Sequence, residues 1–165
     1  MKAKLEAFAN VAVILMALTM GYVLLGRYVA AYRTRSVKAG DRLAAMPSLD
    51  WKQHRRTLVL VLNTGCHFCD QSAPLYQKLA AAQQRGGSDL GVVAVFPNDA
   101  EMVQRFMTKE NLGIRSVAEV PLDKLLVDAT PALILVDKDG RVERSWVGML
   151  SASEELDLLK VLSAS

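Results

Sequence analysis

The sequence predicts an α/β domain, a central mixed sheet flanked by helices, preceded by one N-terminal transmembrane helix. Three observations point there. Strand-like and helix-like segments alternate after residue 57 and close on a hairpin and a last helix, an order that builds a mixed sheet with helices on both faces. Residues 7–26 (AFANVAVILMALTMGYVLLG) make a run of 20 without a charge. At roughly 1.5 Å per residue that is about 30 Å, the depth of a bilayer's hydrocarbon core. The only two cysteines, Cys66 and Cys69, stand three positions apart where a strand gives way to a helix.

Lys2 and Lys4 precede the apolar run, and Arg27, Arg33, Arg35 and Lys38 follow it. A signal peptide cleaved near Val29-Ala30-Ala31 competes with a retained anchor, but the run is long for a signal's apolar core, and Arg27 and Tyr28 intervene. Residues 1–31 are therefore read as a membrane anchor, 32–42 as a basic juxtamembrane linker and 43–165 as the folded domain. The positive-inside rule alone would keep that domain in the cytoplasm. Long domains cross largely regardless of charge, and an anchored dithiol has its use outside. The expected placement is a single-pass cell-membrane protein whose domain faces the periplasm, the extracytoplasmic side.

Residues 57–63 (TLVLVLN) are apolar on both faces, as a covered central strand requires. A helix is expected from Cys66 to about Arg85, with Leu75, Leu79 and Ala82 on its apolar stripe, a kink at Pro74 and an end at Gly86-Gly87. Residues 91–96 (GVVAVF) form a second buried strand, and Asp99 caps a helix over about 100–110. Residues 115–120 read as a short strand and 121–126 as a turn or short helix. Residues 131–136 (PALILV), the turn Asp137-Lys138-Asp139-Gly140 and residues 141–147 (RVERSWV) form a hairpin. Ser151 and Glu154 make a capping box for a terminal helix through Leu162, with Leu156, Leu159 and Leu162 on one face.

With 52% hydrophobic residues in a chain of 165, one domain and an appendage can bury an adequate core. The mean hydropathy of +0.19 owes much to the apolar run. The net charge of +3 comes partly from the basic cluster behind it. Elsewhere basic residues are scattered among acids without interleaved aromatics, which argues against a nucleic-acid partner. Two cysteines alone also exclude a disulfide-stapled miniprotein.

Two thiols at i and i+3 on a first helical turn share a face and can meet the Cα spacing of roughly 4.4–6.8 Å that a disulfide needs. A free cysteine ionises near a pKa of about 8.5. The N-terminus of a helix favours a thiolate at Cys66 and leaves Cys69, one turn deeper, to resolve a mixed disulfide. His67 and Phe68 are the tuning positions: a protonated imidazole would stabilise the reduced form, and Phe68 supplies an apolar face. His54 reads as a surface residue. Half a zinc site is excluded by the ligand count. A two-thiolate copper(I) site, with His67 as a third ligand, suits soft thiolates, so a copper(I)-delivery chaperone is the second functional reading. A non-catalytic anchored interaction module with idle cysteines is the third.

The strand before Cys66-His67-Phe68-Cys69, Pro74 five residues after the second cysteine, and residues 129–140 (ATPALILVDKDG) together resemble the thioredoxin superfamily. Within it, the membrane-anchored TlpA-like and ResA-like thiol-disulfide oxidoreductases look most similar, over about residues 43–162. The resemblance implies a thiol-disulfide oxidoreductase in which Cys66 attacks and Cys69 resolves. It implies no bound cofactor beyond the redox-active Cys66–Cys69 disulfide, protein thiols and disulfides as substrates, and a membrane or soluble thiol redox partner. It further implies that Pro131 is a cis-proline lying against the dithiol and that Thr130 presents its backbone to an extended substrate. Gly65, by its location, permits a partner to come close. The sequence departs from the family in placing Gly65 where an aromatic residue commonly precedes the first cysteine. It also has Leu60 where thioredoxin carries a buried acid. Asp70, Asp128 or water are then the candidates for taking the Cys69 proton.

Overall fold

The structure, a computed structural model, describes residues 14–24, 37–44, 49–85 and 89–163. Contacts divide the chain into two units, Met1–Thr34 and Arg35–Ser165. In the first, residues 14–24 form a helix, α1, whose apolar side chains are exposed. Among the described residues no helix is long and apolar enough to cross a membrane. The expected transmembrane helix is corrected accordingly, together with the membrane insertion, single-pass placement and periplasm-facing topology that rested on it. The anchored interaction module falls with the anchor. Residues 1–13 and 25–36, which carry the rest of the expected anchor, the cleavage alternative and part of the linker, lie outside the described residues.

The second unit runs β1 (Arg56–Val61), α2 (His67–Gln71), α3 (Ala73–Arg85), β2 (Leu90–Phe96), α4 (Ala100–Lys109), β3 (Ser116–Glu119), β4 (Ala132–Asp137), β5 (Val142–Val147) and α5 (Ala152–Ser163). Single 3-10 turns at Trp51–Gln53 and Leu122–Leu125 complete it. The sheet order is β3-β2-β1-β4-β5. β1 pairs in parallel with β2 and antiparallel with β4, and the two outer strands extend each half in the same sense. This is the mixed sheet that the alternating pattern predicts.

β1 is central because both of its faces are apolar. Leu58, Leu60 and Leu62 point into one core cluster and Val59 and Val61 into the other, all fully buried. Each such side chain contributes about 2 kcal/mol by leaving water. The first cluster is filled by α3, by Val103 and Phe106 of α4 and by Leu158 of α5. Cover on the opposite face comes from Trp51, Leu125, Val127 and the chain before β1, including Val37 and Leu43. Among the described residues, helical cover there comes from the two 3-10 turns.

The helix expected to run from Cys66 to Arg85 is two helices. Pro74 has no N–H to give to Asp70, so the ladder cannot pass it. The Ser72 N–H closes α2 on the Phe68 carbonyl at 3.1 Å, and the Ser72 carbonyl restarts the ladder by accepting the N–H of Leu75 at 3.0 Å. The buried stripe of α3 is Leu75, Tyr76, Leu79 and Ala80, with Ala82 half-buried beside it. On α5 the fully buried residue is Leu158. Leu156, Leu159 and Leu162 instead line a shallow groove beside Leu79 and Leu90, so their shared periodicity marks a rim. The capping box forms as expected: the Ser151 N–H donates to Glu154 Oε2 at 2.8 Å. At the hairpin, Asp137 Oδ1 accepts the N–H of Asp139 at 2.8 Å and of Arg141 at 2.9 Å. Gly140, at φ +73°, lies against Trp51, where a Cβ would come within 2.9 Å of the indole.

Arg56 ties the first strand to the last helix. Its guanidinium, 10% exposed, donates to the carbonyls of Val161 at 3.0 Å and Leu162 at 3.2 Å. These are orphan acceptors at the negative end of α5. Replacing the charged donor should cost more than an average hydrogen bond, so Arg56→Met is expected to lower the unfolding free energy by about 2 kcal/mol. Urea denaturation measures it, and a loss within about 0.5 kcal/mol, the range of an ordinary surface change, would show that the tie is dispensable.

Candidate redox site

The turn after β1 is built by asparagines. Asn63 Oδ1 accepts the Gly65 N–H at 2.9 Å, and the Asn63 carbonyl accepts the Cys66 N–H at 3.1 Å. Asn98, at the end of β2, accepts the Thr64 N–H at 3.1 Å. This turn delivers Cys66 in an extended conformation as the N-cap of α2. There its Sγ accepts the Cys69 N–H at 3.3 Å, in the place a serine or aspartate oxygen takes in an ordinary cap. The thiol proton points across the sheet, donated to the Thr130 carbonyl at 3.3 Å. Pro131 follows, buried, and the Thr130-Pro131 peptide bond is cis.

The two cysteines, both free, occupy opposite environments. Cys66 is half-buried at the surface, and Cys69 is 0% exposed. Burial works to raise the Cys66 thiol, but hydrogen bonds with Cys69, Thr130 and Phe68 outweigh it and hold the group below its ordinary 9.0. Burial, hydrogen bonding to Cys66 and repulsion from it push the Cys69 thiol up to about 12. Behind them lies Tyr76, fully buried, its hydroxyl without a hydrogen-bond partner among the described residues. Burial holds that phenol well above its usual range, and charge on Cys69 or Cys66 would act in the same direction. The pair can thus present one accessible, ionisable sulfur backed by a second that stays protonated.

His67 and Phe68 are exposed on the first turn of α2, their rings 5.9 Å apart. Gly65 is exposed, and a Cβ there would meet Asn63 Oδ1 at an ordinary 3.7 Å; Thr130 is half-buried, its carbonyl on Cys66. The fold therefore brings Gly65, Cys66, His67, Phe68, Cys69, Thr130 and Pro131 into one neighbourhood. Asp70 is turned to Lys109 at 3.2 Å, and Asp128 is exposed on the loop before Thr130. His54 is half-buried with its ring against Gly91. Leu60 sits in the core. Sequence reasoning passed over Asn63, Asn98 and Tyr76. The two asparagines flank strand ends, where Asx turns form; Tyr76 carried no signal beyond its place beside Leu75.

Among the described residues no group of three or more His, Cys, Asp or Glu side chains is placed to hold a metal ion. The copper(I)-delivery alternative is corrected on this ground.

No family model and no curated protein matches the chain. Solved structures do. The thioredoxin domain of a thiol-disulfide oxidoreductase from Bacteroides vulgatus superposes with a TM-score of 0.60 at 16% identity, covering 77% of this chain and 99% of that one. A thiol-disulfide isomerase from Corynebacterium glutamicum gives 0.57 at 17% identity over 79% and 95%. A secreted disulfide oxidoreductase from Mycobacterium tuberculosis gives 0.55 at 21% identity over 69% and 84%. Likeness at these identities establishes a thioredoxin-like fold. The narrower likeness to membrane-anchored TlpA-like and ResA-like proteins is corrected to that level, because no described helix supplies an anchor.

A lowered Cys66 and a raised Cys69 dictate a pH profile. Thiolate fraction grows as pH rises through a thiol's pKa, so alkylation by iodoacetamide should reach half its maximal rate at a lower pH than for an ordinary cysteine and mark Cys66 alone near neutrality. Mass mapping that found both cysteines equally modified in the folded protein would contradict the asymmetry.

Proposed function

We propose that this chain is a thiol-disulfide oxidoreductase acting on protein substrates through Cys66 and Cys69, in the domain of residues 43–165. The observation that carries the proposal is the asymmetry of the pair: an N-capping thiol held below its ordinary value in front of a buried thiol held far above it. Likeness to proteins described as thiol-disulfide oxidoreductases supports it.

In the reducing direction the Cys66 thiolate attacks one sulfur of a substrate disulfide. The substrate S–S bond breaks, a Cys66–substrate disulfide forms, and the first substrate sulfur leaves as a thiolate that takes up a proton. Cys69 then loses its proton and attacks Cys66 Sγ; the mixed disulfide breaks, the Cys66–Cys69 bond forms, and the second substrate thiolate leaves and is protonated. Two electrons pass from the dithiol to the substrate. The opposite direction runs the same steps backwards. The Cys69 N–H steadies the attacking sulfur, and the Thr130 carbonyl holds its proton beforehand. Gly65 and Thr130-Pro131 border the cleft that receives the substrate chain, and the exposed His67 and Phe68 tune the potential and meet the partner's surface. Equilibration against glutathione reads that potential.

Cys66→Ser should abolish reduction of insulin disulfides, a loss of at least about a thousandfold given that an alcohol does not replace a thiolate nucleophile. Cys69→Ser should retain the first attack and accumulate a mixed disulfide visible on a non-reducing gel. Undiminished turnover in the Cys66→Ser protein would sink the proposal.

A further inference from the structure

The two edges of the sheet differ. Along β5 the chain before β1 serves as cover: the Gly40 N–H donates to the Val142 carbonyl at 2.8 Å, the Val142 N–H to the Asp41 carbonyl at 2.8 Å, and Ser145 Oγ to the Val37 carbonyl at 2.6 Å. At the other edge β3 pairs with β2, and among the described residues no further segment is hydrogen-bonded along its outer side. The direction of its backbone groups follows from one bond. Val120 donates its N–H to the Phe96 carbonyl of β2 at 2.8 Å, and peptide groups alternate in direction along a strand. Ala118 therefore faces β2, and Val117 and Glu119 turn their N–H and C=O groups outward. Such an outward row is a template for another strand. Proline, lysine or a bulge commonly protects it, and residues 115–119 (RSVAE) contain none of these.

The side chains on that edge identify the partner. Val117 lies opposite Ala94, which belongs to the core cluster beneath α4, and is 41% exposed. Arg115 and Glu119, each two residues away, are exposed and line the same open groove between α4 and β3. Helix α4 turns uncharged residues to this groove, Ala100, Gln104, Met107 and Thr108 among them. Its own charges are engaged elsewhere, Arg105 with Glu101 and Lys109 with Asp70 and Glu110. Among the described residues, Arg115 and Glu119 are thus the only charges lining the groove, and neither has an ion-pair partner. The row reads basic, apolar, acidic; an antiparallel copy of it reads acidic, apolar, basic. We propose that β3 is the docking edge for a second copy of this chain, paired antiparallel about a dyad at Val117. Val117 then meets the partner's Val117 as a hydrogen-bonded pair, the two exchanging their outward N–H and C=O groups. Arg115 falls opposite the partner's Glu119, and Glu119 opposite the partner's Arg115, at a Cβ spacing of about 5 Å. Moving the dyad to Ala118 would set Val117 against the partner's Glu119 and separate both ion pairs. The contact is isologous and closes on itself, joining the two five-stranded sheets edge to edge. Strand β2 stands between β3 and β1, whose end carries the dithiol, so the pairing makes no use of the cysteines.

Sedimentation velocity of the reduced full-length chain over a range of concentrations tests this. The unmutated chain should sediment as a reversible dimer. Arg115→Glu leaves two acids on each edge, and Glu119→Arg leaves two bases. Each variant alone should associate at least about tenfold more weakly, since two opposite-charge pairs become like-charge pairs. An equimolar mixture of the two variants should dimerise again, because acids then face bases. The double variant Arg115→Glu/Glu119→Arg, in which the two charges are exchanged, should dimerise like the unmutated chain. That recovery separates lost pairing from lost folding, because misfolding caused by one substitution would not be cured by the other. A monomer at every concentration overturns the inference. So does a dimer that the single variants leave intact, which would locate self-association elsewhere on the chain. Failure of either recovery overturns the dyad at Val117 and the inference with it.

Discussion

The register between β1 and β4 is the constraint on which the site depends. Val61, the last residue of β1, lies opposite Ala132, the first of β4. The chain leaving β1 and the chain entering β4 therefore occupy the same end of the sheet, and Cys66 meets the Thr130 carbonyl at 3.3 Å. Alternation fixes this register. Leu58 and Leu60 belong to one core and Val59 and Val61 to the other, so a slip by one residue would turn each set to the wrong face.

From that junction the difference between the two thiols follows with little added machinery. The Asn63 turn sets Cys66 outside the first turn of α2, where the Cys69 N–H, which also donates to the Cys66 carbonyl at 2.9 Å, points at its sulfur. Cys69 lies one turn inward among Ala73, Tyr76 and Leu133, where ionisation finds apolar surroundings. Leu60, in the same core cluster, adds hydrocarbon to those surroundings. The price of such a dry second thiol is difficulty in losing its proton.

Much of this was legible in the residues. The Leu/Val alternation of β1 marked a central strand because each face had its own apolar set. The spacing of Cys66 and Cys69 marked a dithiol because no other cysteine competes. Residues 131–147 read as a hairpin through Asp137 and Gly140, whose turn geometry is local. What failed was non-local or periodic. Leu156, Leu159 and Leu162 share a face of α5 as their spacing predicts, with Leu162 packed against the core, but the fully buried residue is Leu158, which that spacing passed over. Pro74 was expected to bend one helix and instead separates two. The apolar run at 7–26 has the length of a membrane span, yet among the described residues no helix is long and apolar enough to cross a membrane. Tyr76 was silent because an orphaned hydroxyl is a property of its surroundings and no pattern in the chain announces it.

The contact between Cys66 and Thr130 also has a consequence for the order in which the molecule takes shape. The Cys69 N–H reaches Cys66 Sγ across three residues, whereas the Thr130 carbonyl lies 64 residues away along the chain. Short loops close early and at small entropic cost, while strand pairings between distant segments come late and limit the rate. The sulfur thus acquires its activating donor before it acquires the wall that shapes access to it. A chain still folding therefore passes through an interval in which the Cys66 sulfur can attack a passing disulfide, one of whose sulfurs leaves as a thiolate, before the Thr130 carbonyl is in place beside it.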